Sequence, residues 1–243
     1  MSLLWPERLL VSLEPHALAW ARPAGRGRTD ADPGYGPDPW HGVVEAFKRE
    51  AAAWRRERLA VSVTLSNGFA RYAIVPRHDD DATREEDEAL ARFHFARVHG
   101  ERARSWEVRL SGAGEGPRLA CAVDAELVQQ LKACFGKGSR ARLVSVQPYL
   151  MSVYNRWRPR IPREGAWLAL AEPERKCLAL YAAKGWRALQ SVRGPADWLE
   201  MIERERQRAS GEPLPAMVMV RPPSVLGLLP LDDAPQPMRL AAT

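Results

Sequence analysis

Leu10-Val11-Ser12-Leu13-Glu14-Pro15 is followed by a second apolar run, Ala17 to Ala21. Past the midpoint, Leu168-Ala169-Leu170-Ala171-Glu172-Pro173 is followed by another, Cys177 to Ala182. In both places an apolar strand ends in Glu-Pro, turns, and re-enters an apolar strand. Proline has no N–H to give a sheet ladder and presets φ for a turn, so Glu-Pro reads as a hairpin corner. A hairpin that opens each half of the chain predicts two related α/β subdomains, a duplication read before any single element.

The residues after each corner extend the pattern. Residues 23–40 hold Pro23, Gly25, Gly27, Pro33, Gly34, Gly36, Pro37 and Pro39 and read as a long loop. Residues 41–56 read as a helix with Val43, Val44, Phe47, Ala51 and Trp54 on one face. Leu59 to Ser66 alternates in period two, and Asn67-Gly68 before Phe69 to Val75 predicts a hairpin. Thr83 with Glu86 predicts a capping box for a helix through about His99. Trp106–Leu110 and Arg118–Val123 read as strands joined by a glycine-rich turn. Asp124 caps a helix with Leu127, Val128, Leu131 and Phe135 inward. Leu143–Val146 reads as a short buried strand, and Pro148 starts a helix carrying Leu150, Val153, Tyr154 and Trp157.

The second half repeats this grammar. Strands are expected at 166–171, 176–182 and 186–192. A helix follows, with Pro195 near its start and Trp198, Leu199 and Ile202 inward, and then a last strand, Met217 to Val220. The stretch 156–164 reads as the join. The expected organisation is a first lobe over 1–160 with the loop at 23–40, a shorter second lobe over 161–221, and an irregular proline-rich tail over 222–243.

Composition narrows the classes. The chain has 243 residues, 46 % of them hydrophobic, which is enough for a substantial core. A net charge of +6 is compatible with anionic partners, but no five basic residues run together, and a nucleic-acid footprint is not expected. Cys121, Cys134 and Cys177 are widely spaced and odd in number, which fits buried thiols in a reducing compartment. Met1 to Glu7 lacks the features of a signal peptide, and no run reaches the length of a membrane-spanning helix. A cytoplasmic chain, held at a membrane only through a partner, is expected.

Strand hairpins, helices and returning strands, given twice, are the order of the duplicated ribonuclease-H-like, actin-like ATPase fold. Arg118-Leu-Ala-Cys-Ala-Val-Asp124 entering a helix, then Leu143-Val-Ser-Val-Gln-Pro148-Tyr-Leu-Met entering another, resembles a segment of the pilus-assembly protein PilM and of the cytoplasmic domain of the secretion protein GspL. Leu65-Ser66-Asn67-Gly68-Phe69-Ala70-Arg71-Tyr72 is similar to small PilM-like proteins. The resemblance covers about residues 8–220. It implies a scaffold of a type IV pilus or type II secretion-like assembly, peripheral at the inner face of the bacterial inner membrane. Its implied partner is a single-span inner-membrane protein, with a homodimer as a further option.

Actin-like ATPases cradle phosphates with hairpin turns built around Asp-x-Gly, because glycine lets backbone N–H groups approach the phosphates. The matching positions here are Ser12-Leu13-Glu14-Pro15 and Ala171-Glu172-Pro173, without glycine and with a proline that removes a donor. Ser12, Glu14 and Glu172 are therefore the candidate positions of a degenerate phosphate site, with both glutamates expected as solvated turn residues. No catalytic residue, metal or cofactor is assigned, and residual ATP or Mg²⁺ binding is not expected. The alternatives are an ATPase or sugar-kinase-like enzyme with altered phosphate loops, or a ribonuclease-H-type enzyme using Glu14 and Glu172. The second of these needs more clustered carboxylates than the sequence places. His94 and His99 lie about 140° apart around one helix and do not form a metal pair. Asp79-Asp80-Asp81 reads as a solvated loop. Trp54, Trp106, Trp157 and Trp198 are assigned to the core, and Trp5 and Trp40 are candidate interface anchors.

Overall fold

Strand β1 (Glu7–Glu14) turns at Pro15 into β2 (Ala17–Arg22), and β3 (Gly25–Asp30) continues the meander. Helix α1 (His41–Trp54) then returns the chain to β4 (Leu59–Leu65), which runs parallel to β1 from Glu7↔Leu59 to Leu13↔Leu65. With β8 (Arg142–Pro148) parallel to β4, the first sheet has the order β3-β2-β1-β4-β8. The computed structural model describes residues 6–32, 40–76, 83–112, 116–183, 185–194, 197–208, 214–221 and 236–239.

The second half rebuilds this sheet. Strands β9 (Ala166–Glu172), β10 (Arg175–Ala182) and β11 (Gly185–Arg193) form an antiparallel meander. Helix α5 (Trp198–Arg208) returns the chain to β12 (Met217–Arg221), parallel to β9. The order is β11-β10-β9-β12-β13, where β13 (Gln236–Arg239) lies antiparallel to β12. The two sheets thus share four strands in order and direction and differ in the fifth.

Between β4 and β8 the chain inserts a smaller layer. Strands β5 (Ala70–Val75), β6 (Trp106–Leu110) and β7 (Arg118–Asp124) form a sheet of order β5-β7-β6, covered by α2 (Arg84–His99). Helices α3 (Ala125–Ala133) and α4 (Tyr149–Trp157) flank β8 in the chain. Contacts group the chain into one unit of Met1–Ala70, Val123–Tyr149 and Ser224–Leu231, and another of Arg71–Ala122, Leu150–Pro223 and Asp232–Thr243.

Local chemistry accounts for most of these elements. In the first unit, Val43, Val44, Phe47, Ala51 and Trp54 form the buried stripe of α1, and Phe47 meets Phe135 edge-on at 5.9 Å. In the second unit, Thr83 and Glu86 form the expected capping box, which holds the Glu86 carboxyl below its ordinary value through the Thr83 N–H and hydroxyl. Asp124 caps α3 by accepting from the Glu126 N–H. Under the second sheet, Trp167, Leu178, Leu180, Met201, Ile202 and Val218 make one apolar cluster.

Several expectations are corrected. Asn67-Gly68 does not close a hairpin: β4 belongs to the first sheet and β5 to the inserted one, and the turn passes the chain between them. Gly68 does not adopt the positive φ that a two-residue Asn-Gly hairpin requires. The loop of 23–40 contains β3, whose Gly27 lies opposite Trp20. A Cβ on Gly27 would stand 2.7 Å from the Trp20 indole, so glycine here lets a tryptophan lie across the strand. The tail expected to be irregular supplies β13, whose Pro237 is tolerated on a sheet edge. Strand β8 is an edge with Val144 59 % exposed, not a buried strand. On α5 the inward residues are Met201 and Ile202, and Leu199 faces solvent at 58 %. Trp40 is buried and stacks on His41 at 4.1 Å, which removes it as an exposed anchor. Trp54 and Trp157 are buried as expected, while Trp106 and Trp198 are half-buried beside their clusters. Trp5, Asp79-Asp80-Asp81 and Pro195 lie outside the described residues.

Gly165 stands just before β9 with φ +99°, and a Cβ there would fall 2.2 Å from the Tyr181 carbonyl oxygen. Neither the conformation nor the space admits an L side chain. Gly165→Ala is expected to lower unfolding stability by about 3 kcal/mol, read as a shift in urea midpoint at unchanged slope. A change under about 1 kcal/mol would mean the β9 entry relaxes freely.

Candidate functional site

Each sheet's first strand ends in a proline corner, and the two corners correspond in their residue register. Glu14 pairs with Ala17 around Pro15-His16, and Glu172 pairs with Arg175 around Pro173-Glu174. The His16 carbonyl accepts from the Ala31 N–H at 2.9 Å, just past β3. The Glu174 carbonyl accepts from the Gly194 N–H at 3.1 Å, just past β11. The correspondence therefore runs from the first strand through the end of the third.

Neither His16 nor Glu174 has a positive φ, so neither corner follows its proline with a left-handed residue. A turn of that kind presents no glycine backbone for close approach, and its first residue has no N–H to offer an anion.

The three candidate side chains are placed plainly. Ser12 is fully buried on β1, opposite Thr64 of β4. Glu14 is 5 % exposed and Glu172 7 %, which corrects the expectation of solvated turn glutamates. In the first unit, the register puts Ser12, Glu14 and Thr64 on one face of the sheet, beside the Asn67-Gly68 turn. There the Ser66 N–H donates to the Leu13 carbonyl and the Ser66 Oγ accepts from the Gly68 N–H at 2.9 Å. In the second unit, Leu170 and buried Arg221 take the places of Ser12 and Thr64, so the corresponding face carries Glu172 with an arginine. No group of three or more His, Cys, Asp or Glu able to hold a metal exists among the described residues.

One constellation in the second unit escaped the sequence. Tyr72 on β5 buries its hydroxyl beside Cys121, Cys177 and Glu172. Burial first, and then these neighbours, push the phenol well above its ordinary value, while the Leu150 N–H of α4 donates to it. The hydrogen bond from the Leu150 N–H ties β5 to the first turn of α4. Only the register of β5 against β7 could have located it, and Asn67-Gly68 misdirected that register.

A cavity of about 140 Å³ in the same unit is lined by Ser111, Arg118, Met151, Tyr154, Arg158 and Trp186, among others. Tyr154, Tyr181 and Trp186 pack on one another with centroids 4.7–5.6 Å apart, and Arg118 is ion-paired with Asp87. Sites for nucleotide-sized ligands usually run from about 300 Å³ upward, so this cavity has room for one side chain.

The class that these features define is the duplicated actin-like, ribonuclease-H-like α/β fold. No protein-family model matches the sequence, and no curated protein does. Solved structures do. The cytoplasmic domain of EpsL, an inner-membrane component of the type II secretion system of Vibrio cholerae, is similar with a TM-score of 0.54 and 16 % identity, over 90 % of this chain and 84 % of that one. A PilM–PilN type IV pilus biogenesis complex is similar with a TM-score of 0.61 and 14 % identity, over 88 % and 80 %. A Bacteroides thetaiotaomicron protein with an actin-like ATPase fold and unknown function matches with a TM-score of 0.54 and 9 % identity, over 88 % and 80 %. At these identities the likeness is one of fold. No helix among the described residues is long and apolar enough to cross a membrane.

Burial pushes the Cys121 and Cys177 thiols far up, with Glu172 adding to the effect at Cys177. Half-buried Cys134 is raised chiefly by burial, which nearby Lys48 and Arg55 oppose. Since the thiolate is the reactive form, iodoacetamide at mildly alkaline pH should label Cys134 in the native protein and spare the other two until denaturant is added. Labelling of Cys177 as fast as Cys134 would contradict the buried placement of β10.

Proposed function

We propose that this chain is a non-catalytic scaffold of a type IV pilus or type II secretion-like assembly that docks a membrane-anchored partner. The observation that carries the reading is the pair of corners. Both positions where the fold would cradle phosphate hold proline at the first turn residue, no glycine, and a buried glutamate at the strand end. Likeness of fold to a secretion-system domain and to a pilus-assembly complex supports the choice of assembly. The lobes at 1–160 and 161–221 belong to the same proposal, since the first sheet draws all its strands from the former and the second draws four of five from the latter.

The absence of a phosphate cradle is tested by thermal shift with Mg-ATP. No stabilisation is expected. A saturable gain reaching about 2.7 kcal/mol at a hundredfold the dissociation constant would replace the scaffold with a nucleotide-using enzyme.

Docking is tested by co-expression. The chain should move to the membrane fraction, resistant to salt, when produced with a single-span protein encoded beside it. Absence of recruitment by every such neighbour would remove the scaffold reading and leave the fold untouched.

A further inference from the structure

Exposed positive charge gathers at one end of the first unit. All three parallel strands of its sheet begin there, and backbone hydrogen bonds bring their flanking loops together. The Glu7 N–H donates to the Arg58 carbonyl at 3.2 Å, and the Arg140 N–H donates to the Arg55 carbonyl at 2.9 Å. Arg55, Arg56, Arg58, Arg140 and Arg142 are exposed on this rim. Arg8 and Arg142 stand in one row of the sheet with Ala60 between them. Arg26 at the start of β3 and Lys137 ahead of β8 extend the rim on either side.

The acidic residues of these segments are Glu7 and Glu57, and Glu57 is already engaged by Arg22. With Arg22, which engages Glu57, nine basic residues stand against two acidic ones, an excess of seven where the net charge of the whole chain is +6. The opposite ends of β1 and β4 carry Glu14, Ser12 and Thr64 instead. The charge of the first unit is therefore polarised along its strands.

The kind of anion follows from what accompanies the arginines. A protein epitope needs a large apolar or aromatic anchor at its centre, and single-stranded nucleic acid needs exposed rings for stacking. Among the described residues, the aromatic ones of this rim are Trp20 and Trp54, packed edge-on at 6.4 Å, with Trp54 3 % exposed. What remains is charge spread over strand starts and turns, suited to a diffuse layer of phosphates.

We propose that this arginine rim is a contact surface for an anionic lipid bilayer, engaging headgroup phosphates as an auxiliary to the partner. The choice of lipid over other polyanions rests on the assembly reading above. The surface itself does not.

The full chain would be sedimented with phosphatidylcholine vesicles with and without phosphatidylglycerol, at low and high salt. Binding is expected only to the anionic vesicles and is expected to fall steeply with salt. Arg55→Gln/Arg56→Gln/Arg140→Gln should weaken it about a hundredfold, at about a decade per 1.4 kcal/mol and about 1 kcal/mol per charge. The matching triple lysine variant should retain binding, which separates charge from a folding defect. Arg92→Gln/Arg97→Gln/Arg102→Gln in the second unit should retain it too.

Equal binding to neutral vesicles, undiminished binding by the glutamine variant, or equal loss in the second-unit variant would each overturn the proposal. Tighter binding to a DNA duplex than to anionic vesicles would reassign the surface to nucleic acid. Lipid binding without partner recruitment would refute the scaffold and keep the rim. Recruitment without lipid binding would do the reverse.

Discussion

The first strand of each large sheet is saturated along both edges, and the rest of the chain is arranged around that constraint. β1 gives one edge to β2 antiparallel and the other to β4 parallel, and β9 does the same with β10 and β12. A strand paired on both sides can spare no N–H or carbonyl, and its side chains must suit a buried position. Leu9, Val11 and Leu13, and later Trp167 to Leu170, are fully buried accordingly. The antiparallel partner requires a tight corner, which proline provides by presetting φ. The parallel partner requires a crossover, which α1 and α5 provide. Where the constraint ends, the copies diverge: the fifth strand touches neither first strand, and it runs parallel in one sheet and antiparallel in the other.

Features legible from sequence were those whose signal is complete within a few residues. Thr83-x-x-Glu86, Asp124 ahead of an apolar stripe, and the twin Glu-Pro corners each carry their own partners locally, and each is found as read. Errors arose where a local signal was outvoted by distant packing. Asn67-Gly68 has the composition of a hairpin turn, but β4 finds both partners in β1 and β8, leaving β5 to a different sheet. Glycine and proline between 23 and 40 suggested a loop, whereas Gly27 is the residue that a strand needs beneath Trp20. Leu199 is apolar but lies on the solvent face of α5, where Met201 completes the core face with Ile202.

The candidate site was half legible. Absence of glycine at both corners is a property of the chain and was read directly. Burial of Glu14 and Glu172 is not, because a turn glutamate is ordinarily solvated. The Tyr72 environment had no local signature at all: it joins β5, β7, β9, β10 and α4, five elements whose proximity exists only after folding.

Strand β8 reaches β4 only after the whole inserted layer has been laid down in the chain. On the ribosome this order has a cost in time. At about 5–20 residues per second, the outer edge of β4 emerges some seconds before Arg142–Pro148 is synthesised to close it. During that interval α2 and the inserted sheet can complete themselves, while Ala60 to Leu65, a run rich in β-branched residues, keeps one ladder open.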